Sequence, residues 1–164
     1  MIAPWRDGDW VAVRPDQGMV QALREIGVCR TDRLLVKKVA ASAGDLVCRS
    51  GLVVSINARL VATARVTASN GAVLPVWSGC RRLTTTEVFL LNPAPGSFEG
   101  LYFGPTARDL VIGPVAFVNA HPPDELVGNS RFSQTAGLKQ VLVRKSGGRS
   151  IPDWTMCHAK SDAK

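Results

Sequence analysis

Apolar and polar residues alternate in short bursts over the first two thirds of the chain, and turn residues separate the bursts. Trp10-Val11-Ala12-Val13-Arg14 reads as a short strand between Asp7-Gly8-Asp9 and Pro15. Met19, Val20, Leu23 and Ile26 then recur at helical spacing, with Asp16 placed to cap a helix and Gly27 to end it. Leu34 to Ala41 is a strand of the buried type, and Leu46-Val47-Cys48 and Leu52 to Ile56 follow as strands. Asn57-Ala58 suits a tight turn because Asn tolerates positive φ, and Leu60 to Val66 is the returning partner of a hairpin. Ser69-Asn70-Gly71 is a further turn. Glu87 to Leu91 is another strand, stopped by Asn92-Pro93-Ala94-Pro95-Gly96. Leu110 to Val118 is a strand with a Gly-Pro interruption, which suits an edge or a bulge. The pattern predicts a mainly β fold of short antiparallel strands with one short helix.

The character changes after Asn119. Residues 1–119 read as one β domain, and 120–164 as a basic, weakly structured tail carrying Lys139, Arg144, Lys145 and Arg149. Gln140 to Arg144 is the one stretch there with strand character. A chain of 164 residues, 46% of them apolar, is long enough for a core of its own. The net charge of +7 admits nucleic acid, an anionic membrane or mere solubility. The basic residues are spread without a run, which argues against nucleic acid as a partner. No apolar stretch is long enough to span a bilayer and the N-terminus lacks a signal-peptide pattern, so the chain read alone is soluble. The cysteines are Cys29, Cys48, Cys80 and Cys157; without a C-x-x-C pair they suggest no metal site. Cys48 and Cys80 flank the hairpin region, where a bridge and two free thiols are the alternatives. A bridge would imply an oxidising compartment.

The chemistry concentrates in Leu35-Val36-Lys37-Lys38-Val39-Ala40-Ala41. Two lysines lie in an apolar run just ahead of a Gly-Asp turn. Successive strand side chains face opposite ways, so one lysine can enter a site while the other reaches water. Burial favours the neutral amine, which can act as a general base. Read singly, Lys37 is more often an edge-strand lysine that blocks aggregation than a catalytic base. No serine occurs in residues 1–41 to serve as the nucleophile of such a base.

The order of four segments resembles the type I signal peptidase family of serine proteases (S26), and most closely its TraF-type conjugative-transfer branch. Gly8-Asp9-Trp10-Val11-Ala12-Val13 is similar to the family's Gly-Asp strand. Val36-Lys37-Lys38-Val39-Ala40-Ala41-Ser42-Ala43-Gly44-Asp45 is similar to its Lys-Arg-Val…Pro-Gly-Asp box, with Ala43 in place of proline. Ser55-Ile56-Asn57 resembles its Ile-Asn-Gly hairpin. Leu74 to Cys80, and then Glu87 to Pro105, resemble the conjugative branch.

The resemblance implies a signal-peptidase/LexA-like β fold and a Ser/Lys dyad. Lys37 falls on the catalytic lysine and Ser97 on the serine that orients it, with Glu99, Gly44 and Asp45 in support. Glu99 stands where the family has Asp, and Leu101 where it has the Arg that pairs with that Asp. Gly100 replaces a second serine. The family's nucleophile lies in a Ser-Met-Pro segment behind a membrane anchor, ahead of the Gly-Asp strand. Met1 is only a few residues ahead of Gly8, so the expectation is a truncated chain, inactive alone. The implied substrate is an exported precursor protein or prepilin, cut after small side chains at the periplasmic face of the bacterial inner membrane, with no cofactor. The alternatives are a catalytically dead relic or binding module, and a β-rich nucleic-acid-binding domain.

Overall fold

The computed structural model describes residues 5–27, 33–93, 98, 100–118, 133–135 and 138–144. The elements run β1 (Trp10–Val13), α1 (Gln17–Glu25), β2 (Leu35–Ala41), β3 (Leu46–Ser50), β4 (Val53–Ile56), β5 (Arg59–Thr63), β6 (Gly79–Arg82), β7 (Glu87–Leu91), α2 (Gly100–Phe103), β8 (Thr106–Ala107), a 3-10 turn at Arg108–Leu110, β9 (Val111–Val118), β10 (Ser133–Thr135) and β11 (Leu138–Arg144). They form a seven-stranded sheet in the order β10-β11-β9-β1-β2-β7-β8 and a four-stranded sheet in the order β5-β4-β3-β6. The fold is mainly β, as the alternation predicts. Pairing is antiparallel throughout except between β11 and β9, which run parallel.

Local chemistry explains the elements that the sequence announces. Asp16 caps α1, its carboxylate accepting the Met19 N–H at 2.8 Å, and Met19 and Leu23 turn inward. Gly27 follows the helix at φ 83°, a left-handed conformation that glycine adopts without strain. The β4–β5 hairpin turns on Asn57 and Ala58, both left-handed at φ 49° and 65°. Two successive left-handed residues match the twist of the strands they join.

Two apolar clusters hold the layers. One lies between the sheets and gathers Val47 and Val54 from the small sheet, Ala41 and Phe89 from the large one, Leu23 and Ile26 from the helical segment, and Phe98, Leu101 and Tyr102 around α2. The other gathers Trp5, Val11, Val13, Leu35, Val39, Val88 and Leu90. β7 alternates between them, sending Phe89 to the first and Val88 and Leu90 to the second.

Of the two readings of the Gly-Pro strand, edge or bulge, the structure shows the bulge. β9 is an interior strand, flanked by β1 and β11. A register shift in its pairing with β1, between Ala12 and Val13, accommodates the interruption. Pro114 pairs with Val11 on one side, and β11 joins only from Val115 onward, beyond the missing N–H. The expected hairpin return from Leu60 to Val66 leaves the sheet earlier, at Thr63, and Thr67 then bridges Val73.

Candidate active site

β2 runs between β1 and β7, and its side chains alternate strictly. Leu35, Lys37, Val39 and Ala41 are buried, while Lys38 is exposed. Lys37 retains only 3% of its surface and stands directly across from Val11, itself fully buried. Its neighbours along the strand, Leu35 and Val39, belong to the second apolar cluster. The edge-strand reading of Lys37 therefore fails, because β2 is interior. On the other side Lys38 pairs with Leu91, so the next residue of the antiparallel partner, Asn92, comes alongside Lys37. Asn92 opens the stretch that leads to residue 97.

The turn that leads into β1 is bound to the same strand. Gly8 N–H donates to the Val39 carbonyl at 2.7 Å, and Val39 N–H donates to the Asp9 carbonyl at 2.8 Å. Whatever enters β1 from the N-terminal side thus passes within two residues of Lys37. Gly44 and Asp45 form the turn that ends β2. Gly44 has φ 96°, and the Asp45 carboxylate accepts the Ser42 N–H at 2.9 Å and the Asn57 amide at 2.7 Å. The Asn57 carbonyl oxygen in turn accepts the Leu46 N–H at 2.9 Å. These groups are engaged in shaping turns.

Cys48 and Cys80 are disulfide-bonded and directly opposite in register, joining β3 to β6 with 4.0 Å between their Cα atoms. Ser97, Glu99, Cys29 and Cys157 lie outside the described residues. So do His121 and His158, which the sequence does not mark as ligands or bases.

The chain just after Glu99 is closely held. Gly100 has no room for a side chain: a Cβ there would lie 2.6 Å from the Leu90 carbonyl oxygen and 2.9 Å from the Phe89 ring. A serine side chain here would meet the same obstacle. Trp77 donates its indole N–H to the Gly100 carbonyl at 3.0 Å and meets Phe89 edge-on, which makes it a packing residue. Phe98 stacks on Tyr102 and meets Phe103 edge-on. The Tyr102 hydroxyl accepts the Arg65 N–H at 3.2 Å. Leu101 is buried in the inter-sheet core, where an arginine side chain would displace packed carbon.

Arg49 of β3 was invisible to sequence reasoning. It is 2% exposed and the largest fully buried side chain among the described residues. Its Nε donates to the Gly51 carbonyl at 2.9 Å, its Nη1 donates to the Leu101 carbonyl, and its Nη2 is buried without a partner. The available signal was its phase: Val47 and Arg49 share the inward face of a five-residue strand. At the start of β7, Thr84 N–H holds the Glu87 carboxyl below the usual carboxylate range against the effect of burial, aided by the Thr84 hydroxyl and the Arg81 guanidinium.

Residues 1–120 match the family described as signal peptidase, peptidase S26. Among solved structures, the chain is similar to a signal peptidase I from Enterococcus faecalis, with 15% identity and a TM-score of 0.40, over 71% of this chain and 100% of that one. No curated protein matches.

Proposed function

Because the chain belongs to the signal peptidase family, peptidase S26, we propose that it is a serine-type endopeptidase that processes exported or pilin precursors with Lys37 as general base. Ser97 orients that amine, and the nucleophilic serine comes from a segment outside residues 1–164. The burial of Lys37, 3% exposed on an interior strand, carries this reading. Apolar surroundings disfavour the charged form of an amine, and a base must be neutral to accept a proton.

In this scheme the serine hydroxyl attacks the scissile carbonyl while Lys37 Nζ takes its proton. The same amine then returns a proton to the leaving amine, and water repeats the cycle on the acyl-enzyme. Backbone N–H groups beside the nucleophile hold the oxyanion. The hydrogen bonds between Gly8-Asp9 and Val39 support delivery of the nucleophile from the N-terminal side, since they run the entering chain along the lysine's strand. Motif order in the Leu74 to Pro105 region favours the conjugative branch.

The location proposed is the periplasmic face of the inner membrane. The disulfide between Cys48 and Cys80 fits an oxidising compartment. Exposed Leu52, Val53, Leu60 and Val61 on the β4–β5 hairpin, with Val66 and Val73 beyond it, suit a domain that works against lipid. No helix among the described residues is long and apolar enough to cross a membrane.

The test is cleavage of a fluorogenic precursor peptide with small residues before the scissile bond. Residues 1–164 are expected to leave it intact. The same chain extended by a Ser-Met-Pro-bearing segment, its own where the gene encodes one, is expected to cut it, and Lys37→Ala to abolish the cutting. Full activity in the extended Lys37→Ala protein overturns the assignment.

A further inference from the structure

We propose that the free edge of the small sheet is a docking site for an anionic bilayer. β5 lies along the headgroups, Leu60 and Val61 enter the interface, and the guanidinia of Arg59 and Arg65 take lipid phosphates. This names the partner of the exposed hairpin and rests on the proposed membrane location.

The charge in this part of the chain has one sign. No acidic residue occurs between Asp45 and Glu87, although the chain has 13 Asp and Glu in all. The same stretch holds five arginines, of which Arg49 is buried and the other four are exposed. Two of those four are engaged: Arg81 pairs with Glu87, and Arg82 donates to the Gly44 carbonyl at 2.6 Å. Arg59 opens β5 and Arg65 lies two residues past its end. Among the described residues neither of their guanidinia has a hydrogen-bond or ion-pair partner. A guanidinium offers a planar fork that matches phosphate oxygens, and a cation near an anionic leaflet gains affinity from the surface potential.

Between these two cations lies apolar surface that the fold leaves open. β5 is an edge strand of the small sheet, and Arg59, Leu60, Val61 and Thr63 are all exposed. Leu60 keeps 66% of its surface and Val61 41%, and Val66, next to Arg65, keeps 58%. Edge strands facing water are ordinarily guarded by charge, proline or a covering element. The register sets Leu60 in one row with Ser55, Cys48 and Cys80, on the face of the sheet opposite to buried Val47 and Val54. The disulfide therefore braces the face that presents Leu60. Aliphatic side chains between two cations suit a lipid interface. The side chains reach the acyl boundary, while the unpaired N–H and C=O groups of the edge stay among headgroups and water. Nucleic acid would meet the arginines but leave Leu60, Val61 and Val66 in water. A second copy would set this acid-free module against itself, arginine toward arginine.

The experiment uses residues 1–164 as they stand. Co-sedimentation measures binding to vesicles of phosphatidylcholine alone and of phosphatidylcholine mixed with phosphatidylglycerol, at low and at physiological salt. Partition onto the anionic vesicles is expected to be at least about 10-fold stronger than onto the neutral ones, and to weaken as salt rises. Arg59→Gln and Arg65→Gln are each expected to lower anionic binding about fivefold and to change neutral binding little. Leu60→Ser is expected to lower binding to both kinds of vesicle, by about 10-fold. All three positions are exposed, so thermal unfolding should match that of the parent chain. Equal partition onto both kinds of vesicle overturns the proposal, as does a variant with both arginines replaced that binds like the parent. Tighter binding to a DNA duplex than to anionic vesicles would give the edge to nucleic acid and overturns it too. Self-association that Leu60→Ser abolishes, without vesicle binding, would give the edge to a second copy with the same result. Vesicle binding needs no nucleophile, so its failure leaves the role of Lys37 standing. Full activity in the extended Lys37→Ala protein overturns only the catalytic assignment.

Discussion

The seven-stranded sheet buries a lysine and the four-stranded sheet buries an arginine, Lys37 at 3% exposure and Arg49 at 2%. The two burials differ in what the chain does with the charge. A guanidinium keeps its proton at any ordinary pH, so it must be satisfied where it lies, and Arg49 is met by the carbonyls of Gly51 and Leu101. An ammonium can shed its charge, and under the proposed function Lys37, in a sheet face with Val11, Leu35 and Val39, is the group that does so. A permanent cation suits a clamp; a dischargeable one suits proton transfer. The surroundings also differ. The large sheet is covered on both faces at β7, whereas β5 and β6 of the small sheet are exposed along nearly their whole length. The small sheet has a covalent tie where the large one has packing.

The sharpest way to break the contrast is to exchange the two chemistries. Lys37→Arg, which keeps the charge but cannot give up a proton, is expected to lower cleavage by the extended protein about 10²-fold to 10⁴-fold, as much as Lys37→Ala. Measurable turnover in Lys37→Arg above the Lys37→Ala level would mean that proton transfer is not the role of residue 37. Next in size is the tie itself. Replacing Cys48 and Cys80 with alanine opens a link between residues 32 apart in sequence, with an expected loss of about 3–4 kcal/mol in urea unfolding. Amide exchange should accelerate in β3 and β6 and stay slow in β2; equal acceleration in both sheets would erase the distinction between them. Gly100→Ala follows, with an expected loss of about 1–3 kcal/mol from forcing a methyl against the Leu90 carbonyl. An unchanged Tm in that variant would show that α2 can retreat from β7. The smallest effect concerns Glu87. Its lowered carboxyl contributes stability above the ordinary carboxylate range, and that contribution is lost as pH falls through its folded pKa. Glu87→Gln should therefore flatten the acid limb of stability against pH, lowering stability slightly at neutral pH and leaving it nearly unchanged below the folded pKa of Glu87.

What could be read from the sequence was what repeats or punctuates. β1, α1 with its Asp16 cap, β2, the Asn57-Ala58 turn and β7 each carry a period or a turn signal, and the division of labour between Lys37 and Lys38 follows from alternation alone. β6 was illegible because Gly79-Cys80-Arg81-Arg82 is exposed at every position, so no apolar period marks it. Its pairing with β3 and the disulfide define it. α2 is a single turn that begins at a glycine. Its helicity comes from Trp77, Arg49 and the Phe98–Tyr102 stack, none of them near it in a helical pattern. Arg49 was passed over because arginine is ordinarily a surface residue, and only the phase it shares with Val47 betrays its direction. The interior position of β9 was hidden for a similar reason. Gly113-Pro114 reads as an edge or a bulge, and only the register shift against β1 and the start of β11 pairing one residue past the proline choose the bulge.

Asn57 has a mechanical consequence. The two ends of its amide grip Asp45 and Leu46, at the start of β3 and directly beside the turn. Ala58 can therefore stay left-handed without being glycine, because its neighbour is riveted in place. The hairpin and the bend that terminates the lysine's strand are in effect a single casting. A continuous line of hydrogen bonds thus runs from the turn before Leu60, through Asn57 and Asp45, to Ser42 at the end of β2.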